Sequence, residues 1–205
     1  MKGLLQKERI IAAPGFNRWL VPPAALAIHL SIGMAYGFSV FWLPLGRALG
    51  ITRPAPGDWK ISTLGWMYTL FFVFLGSSAA LFGRWVEREG PRKAGVVAAF
   101  CWGGGFWLSA LGVYWHQIAL LWLGSGVIGG CGLGLGYISP VSTLIQWFPD
   151  RRGMATGLAI MGFGGGAMIG APLADGLMKR FGTPSSVGVW ETFVVLGAIY
   201  FVAML

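Results

Sequence analysis

The residues able to do chemistry in this chain are few and fall into three groups. A charged run, Arg84-Trp-Val-Glu87-Arg88-Glu-Gly90-Pro-Arg92-Lys93, follows Gly83. There a carboxylate can pair with guanidinium groups folded back over a tight glycine turn. Two tyrosines, Tyr36 and Tyr137, stand deep inside apolar stretches. An aromatic hydroxyl there can donate a hydrogen bond to an anion without placing a full charge in lipid, although packing tyrosines occupy such positions too. A polar knot, Pro149-Asp150-Arg151-Arg152-Gly153, separates two glycine-laced apolar arms. Other chemistries lack their spacings. His29 and His116 are far apart and uncompanioned, so no metal site is expected. No nucleophile stands beside a base and an orienting acid, so neither an enzyme nor a cofactor is expected. Gly132-Leu-Gly134-Leu-Gly136 lies within an apolar span and follows no strand, which removes a nucleotide-binding reading.

The elements that must position these residues follow from composition. The chain has 205 residues, 56% of them hydrophobic and only 11% charged. Soluble domains carry about 25% charged residues, so an all-α, polytopic membrane protein is expected. The counts of Gly 34 and Trp 11 agree, since membrane helices favour glycine and membrane interfaces favour tryptophan. The net charge of +8 does not signal nucleic acid, because the basic residues sit in short runs between apolar spans. Cys101 and Cys131 each fall inside an apolar span and read as buried free thiols.

Read in order, residues 1–18 form a tail carrying Lys2, Lys7, Arg9 and Arg18, and residues 19–205 form a six-helix transmembrane bundle. The helices are expected at about 21–49, 61–83, 94–114, 118–147, 153–177 and 187–205. Pro22 and Pro23 suit a first turn, and Pro44 kinks the far end of the first helix. Gly126, Gly130 and Gly134 recur every four residues, as do Gly162, Gly166 and Gly170. Each series makes a smooth ridge that permits close helix crossing, whether static or sliding. Ser39, Ser142 and Thr143 are candidates for hydrogen bonds between helices. His29 reads either as a neutral packing residue or as a protonatable one. Ten lysines and arginines on the N-terminal side against five opposite predict a cytoplasmic N-terminus in a plasma (bacterial inner) membrane. The last apolar run reaches Leu205 without a polar flank, so a truncated chain is expected.

Two stretches carry a family resemblance. The run from Gly83 through Glu87, Arg88 and Gly90 to Arg92 and Lys93 resembles the signature loop of the major facilitator superfamily, with Glu87 where aspartate is usual. GLGLGYISPVSTLIQWFPDRRGMATGLAIMGFGGGA, together with Gly33-Met-Ala-Tyr36-Gly-Phe-Ser39-Val-Phe41, resembles the oxalate:formate antiporter family within it. The resemblance implies helices 1 to 6 of an expected twelve. It implies a secondary carrier of small carboxylates such as oxalate, formate, lactate or pyruvate, working by rocking alternating access. Tyr36 and Tyr137 would then line an aromatic cavity, and the Glu87–Arg88 loop would clasp the cytoplasmic side. The substrate-neutralising cations would come from the missing C-terminal half of the same chain, or the second wall from another copy. A half-size homodimeric carrier, or a sensor or assembly subunit that does not transport, are the alternatives.

Overall fold

The computed structural model describes residues 14–205, so the expected tail positions Lys2, Lys7 and Arg9 lie outside the described residues. Six helices follow one another: α1 (Arg18–Leu45), α2 (Ile61–Glu89), α3 (Pro91–Tyr114), α4 (Ile118–Trp147), α5 (Arg152–Phe181) and α6 (Val189–Met204). Apart from one bridge between Thr183 and Ser186, the described residues contain no β-structure.

The first five helices are long and apolar enough to cross a membrane, whereas α6 is apolar but has only 16 residues. Helix α6 begins at Val189 and not at the expected residue 187, because Gly188, with φ +75°, holds the chain in a left-handed turn before it.

Other boundaries move for local reasons. Helix α1 ends at Leu45, before the expected residue 49, where the chain turns toward Asp58. Helix α2 runs past Gly83 to Glu89, so most of the expected charged loop is helical. Gly90 alone separates α2 from α3, with φ +90° and ψ +165°, a backbone region essentially restricted to glycine. Pro91 opens α3, where its missing N–H costs nothing. Helix α5 likewise runs beyond residue 177 to Phe181.

Two helices depart from regular geometry. Helix α1 tightens to 3-10 form over Phe38–Phe41 before its last turn, Trp42–Leu45. Pro44 withholds a hydrogen-bond donor there. The Ala35 carbonyl accepts both the Phe38 amide and the Tyr68 hydroxyl of α2, the latter at 2.6 Å. Helix α4 widens to π form over Trp122–Gly129, where Gly124 and Gly129 press against Gly105 of α3. Such irregular turns inside helices recur at functional sites.

Small residues set the packing. α3 lies against α4 and α6, α4 also against α2, and α1 against α5 and α4. A Cβ added at Gly134 would come within 2.5 Å of the Leu75 carbonyl oxygen, and one at Gly130 within 2.8 Å of the Phe71 oxygen. The Gly126 series therefore faces α2. The Gly162 series faces α1: a Cβ at Gly166 would lie 2.6 Å from the Gly33 Cα. Aromatic rings fill the bundle between them, with Phe41 and Phe193 4.7 Å apart and Phe106 and Phe193 5.5 Å apart.

Hydrogen bonds between helices come from residues other than those expected. Ser142 and Thr143 both donate to the Ser139 carbonyl in their own helix. The cross-links include Ser109 with Ser125 at 2.7 Å, Ser78 to the Cys131 carbonyl at 3.4 Å, and Trp122 Nε1 to the Thr63 carbonyl at 3.2 Å. In membrane proteins such bonds average about 0.6 kcal/mol.

Candidate functional site

The starts of α1, α3 and α5 and the ends of α2, α4 and α6 gather at one end of the bundle, the Arg18 end. Midway between this and the opposite end, α1, α4 and α5 meet around Phe163. Tyr36 reaches it from α1, with ring centroids 4.9 Å apart, and Tyr137 reaches it from α4 at 5.3 Å. The two tyrosines singled out in the sequence thus converge on one ring. Tyr36 is 51% exposed, Tyr137 is half-buried and Phe163 is buried. The arrangement is an aromatic wall with one open edge, able to offer a phenolic hydroxyl to a solute.

His29 backs this wall. It is fully buried, and its Nε2 lies 3.3 Å from the Tyr137 carbonyl oxygen. Its ring centroid lies 5.7 Å from that of Tyr137 and 6.4 Å from that of Phe163. Phe163 was not singled out in the sequence. Its only signal is an aromatic residue set between Gly162 and Gly164.

The charged residues of the α2–α3 and α4–α5 turns lie at the Arg18 end. Glu87 and Arg88 are exposed on the last turn of α2, and Arg92 is exposed on the first turn of α3. Gly83 lies within α2, and a Cβ there would meet nothing within 4 Å. An ion pair closes the α2–α3 turn between Glu89 and Lys93, four residues apart. Glu89 was overlooked because the Gly-Pro pair between the partners hides their helical spacing.

The turn between α4 and α5, Pro149–Arg151, is also fastened. Arg18 donates to both carboxylate oxygens of Asp150, at 2.8 and 2.9 Å, and its guanidinium carbon lies 4.9 Å above the Phe148 ring. Arg151 sits 5.9 Å from the Trp19 ring centroid. Arg152 opens α5 with its side chain exposed, and a Cβ at Gly153 would meet nothing. A cavity of about 350 Å³ opens nearby, among Val21, Arg92, Ser139, Thr143 and Met204, and neither tyrosine lines it.

At the opposite end, Asp58 accepts the amides of Leu49 and Ala55 at 2.7 Å and of Gly50 at 3.1 Å. Burial alone would raise its carboxyl, but the Ala55, Leu49 and Gly50 amides outweigh it and hold the group below its ordinary value. His116 stacks on Trp59 with centroids 4.3 Å apart, and its Nε2 lies 3.0 Å from the Gly57 carbonyl. Among the described residues no group of three or more His, Cys, Asp or Glu could hold a metal ion.

Comparison with known proteins places this architecture. The family model for the Major Facilitator Superfamily matches residues 16–205. The chain belongs to the major facilitator superfamily. Among curated relatives, it is 29% identical to the uncharacterized MFS-type transporter YhjX of Escherichia coli, over 89% of this chain and 41% of that protein. It is 30% identical to human monocarboxylate transporter 11, over 88% of this chain and 35% of that protein. It is 28% identical to the oxalate:formate antiporter of Oxalobacter formigenes, over 89% of this chain and 40% of that protein. The chain therefore spans about two fifths of the length of these superfamily members.

Proposed function

We infer that this chain forms one wall of a secondary carrier for small organic anions of the oxalate, formate, lactate and pyruvate class. The observation that carries the reading is the convergence of Tyr36 and Tyr137 on Phe163, with Tyr36 exposed. Two phenols can orient a carboxylate by hydrogen bonding, and the apolar surroundings strengthen each bond. The names of two relatives, a monocarboxylate transporter and an oxalate:formate antiporter, support the carboxylate class.

No lysine or arginine lies in the central part of the spans, so the charge that neutralises the anion comes from a second wall. That wall is a C-terminal half of the same protein, or a second copy of this bundle. Solute then crosses by rocking of one bundle against the other about the midplane site.

The Arg18 end faces the cytoplasm in this reading. Arg18, Arg84, Arg88, Arg92, Lys93, Arg151 and Arg152 lie there, and Lys2, Lys7 and Arg9 of the tail bring the number to ten against five opposite. Glu87, Arg88 and the Glu89–Lys93 turn supply the contacts that hold the two walls together on that side. The membrane is the plasma (bacterial inner) membrane.

The test is counterflow in proteoliposomes containing the protein as its gene encodes it. With formate trapped inside, entry of [14C]formate or [14C]oxalate should be saturable and should be competed by pyruvate and lactate. Saturable binding without counterflow would replace the carrier reading with that of a sensor. Neither binding nor counterflow with any of the four anions would overturn the substrate class.

A further inference from the structure

His29 makes less use of its ring than its burial demands. A carbonyl oxygen only accepts, so the Nε2 facing Tyr137 carries the hydrogen and Nδ1 is bare. Nδ1 is buried and has no hydrogen-bond partner. Buried polar atoms of native structures are nearly always paired, and an exception asks for a reason. The main chain of Ala159, on α5, lies close to the ring. Gly162 packs directly on His29, and a Cβ there would lie 3.0 Å from the histidine Cβ.

The surroundings of the ring are otherwise uncharged. Tyr137 on α4 is the titratable group in direct ring contact, and Tyr36 stands beyond Phe163 on the other side. The α5 residues at the junction, Ala159, Gly162 and Phe163, do not titrate. Among the described residues no carboxylate, lysine or arginine acts on the ring.

We propose that His29 is a positioning residue operated by one proton: neutral, it braces Tyr137 alone, and doubly protonated, it ties Tyr137 on α4 to Ala159 on α5. The added proton sits on Nδ1, where a donor without an acceptor is costly, and a small approach of α5 brings the Ala159 carbonyl into reach. At Gly162 and at Gly166 against Gly33 no side chain interlocks α5 with α1, so the approach is a slide of α5 along a smooth contact. The tie fastens the two helices that carry Tyr137 and Phe163. The proposal rests on the carrier reading for its transport consequence only. There, falling pH lowers the maximal exchange rate and leaves KM nearly unchanged.

Two measurements decide it. Comparing 15N-histidine spectra of the wild-type and His29→Gln proteins in nanodiscs assigns the His29 signals by difference. The expected result is an Nε2–H neutral tautomer at about pH 8, converting at low pH to an imidazolium with both protons hydrogen-bonded. A ring that stays neutral down to about pH 4.5, or an Nδ1–H tautomer at high pH, overturns the proposal. In formate counterflow, the wild-type maximal rate should fall about threefold or more from about pH 6.5 to 4.5. His29→Gln keeps a donor for Tyr137 and should flatten that profile at unchanged KM. A wild-type profile in His29→Gln overturns the proposal. If no counterflow occurs at any pH, the carrier reading falls, and the 15N titration alone decides the role of His29.

Discussion

Arg18 and Asp150, 132 residues apart in sequence, meet through two parallel hydrogen bonds at 2.8 and 2.9 Å. The pair joins the start of α1 to the turn that opens α5, so the same two helices that cross at Gly33 and Gly166 are also tied at their ends. Both side chains are well exposed, so water and salt screen the attraction. Its contribution is to fix geometry more than to add stability. Arg18→Ala should therefore leave expression and folding intact but speed proteolytic cleavage between residues 14 and 18, and Arg18→Lys should restore protection only partly because lysine cannot match the two-pronged fork. Limited proteolysis in detergent, with fragments identified by mass, checks this; equal cleavage in all three proteins would show that the pair holds nothing.

The glycine crossings give a sharp contrast. Gly134→Val and Gly166→Val place a branched side chain against main-chain atoms that cannot move aside, and each should destabilise the bundle by about 1–3 kcal/mol or more. Gly157→Ala meets nothing within 4 Å and should be neutral or slightly stabilising, by up to about 1 kcal/mol from helix propensity. Thermal unfolding in detergent, followed by the tryptophan signal, separates the two classes.

If the aromatic wall binds solute, removing one hydroxyl removes one hydrogen bond. Tyr36→Phe should raise KM for carboxylate exchange by roughly three- to tenfold, with the fold and the ring contact to Phe163 preserved. Tyr137→Phe should act in the same direction. Unchanged KM in both would reduce the tyrosines to packing residues.

The α2–α3 turn is predicted to be intolerant at one residue and graded at its charges. Gly90→Ala forces a side chain into a backbone region essentially reserved for glycine, at a cost of about 1–3 kcal/mol. Arg88→Ala should lower the exchange rate without lowering thermal stability, since Arg88 is exposed. Uptake at the wild-type rate in Arg88→Ala would remove its part in the clasp.

Asp58 gives a pH dependence of known sign. Its carboxyl lies below its ordinary value in the folded protein, so its contribution is fully present above about pH 4 and is lost as pH falls through the lower, folded value. In Asp58→Ala the amides of Leu49, Gly50 and Ala55 should exchange hydrogen about tenfold faster at neutral pH. Amide exchange by mass spectrometry, corrected for intrinsic rates, measures this directly.

The sequence makes some of this architecture readable and hides the rest for physical reasons. Apolar runs of membrane-spanning length announce themselves, and five of the six expected spans have that length in the structure. A four-residue glycine spacing marks a smooth helix face but carries no information about what lies against it. That the Gly126 series meets α2 while the Gly162 series meets α1 required coordinates. Pro44 foretells a disturbance in α1, yet the Tyr68 hydroxyl that occupies the Ala35 carbonyl comes from another helix and leaves no local trace. The Arg18–Asp150 pair is hidden for the same reason. Tyr36 and Tyr137 were legible as polar atoms in apolar runs, but Phe163, the ring that joins them, has no polar atom to draw notice.

The single-residue turn at Gly90 has a mechanical consequence. With no slack between α2 and α3, a displacement of the charged tip cannot be absorbed as loop motion and must be delivered to α3 as a push or a twist. α3 is packed along α6, with Gly103 against Phe201 and Gly197 against Trp107. A tug on a few charged side chains at the rim is thereby passed first to α3 and to the flank of the bundle that α3 shares with α6.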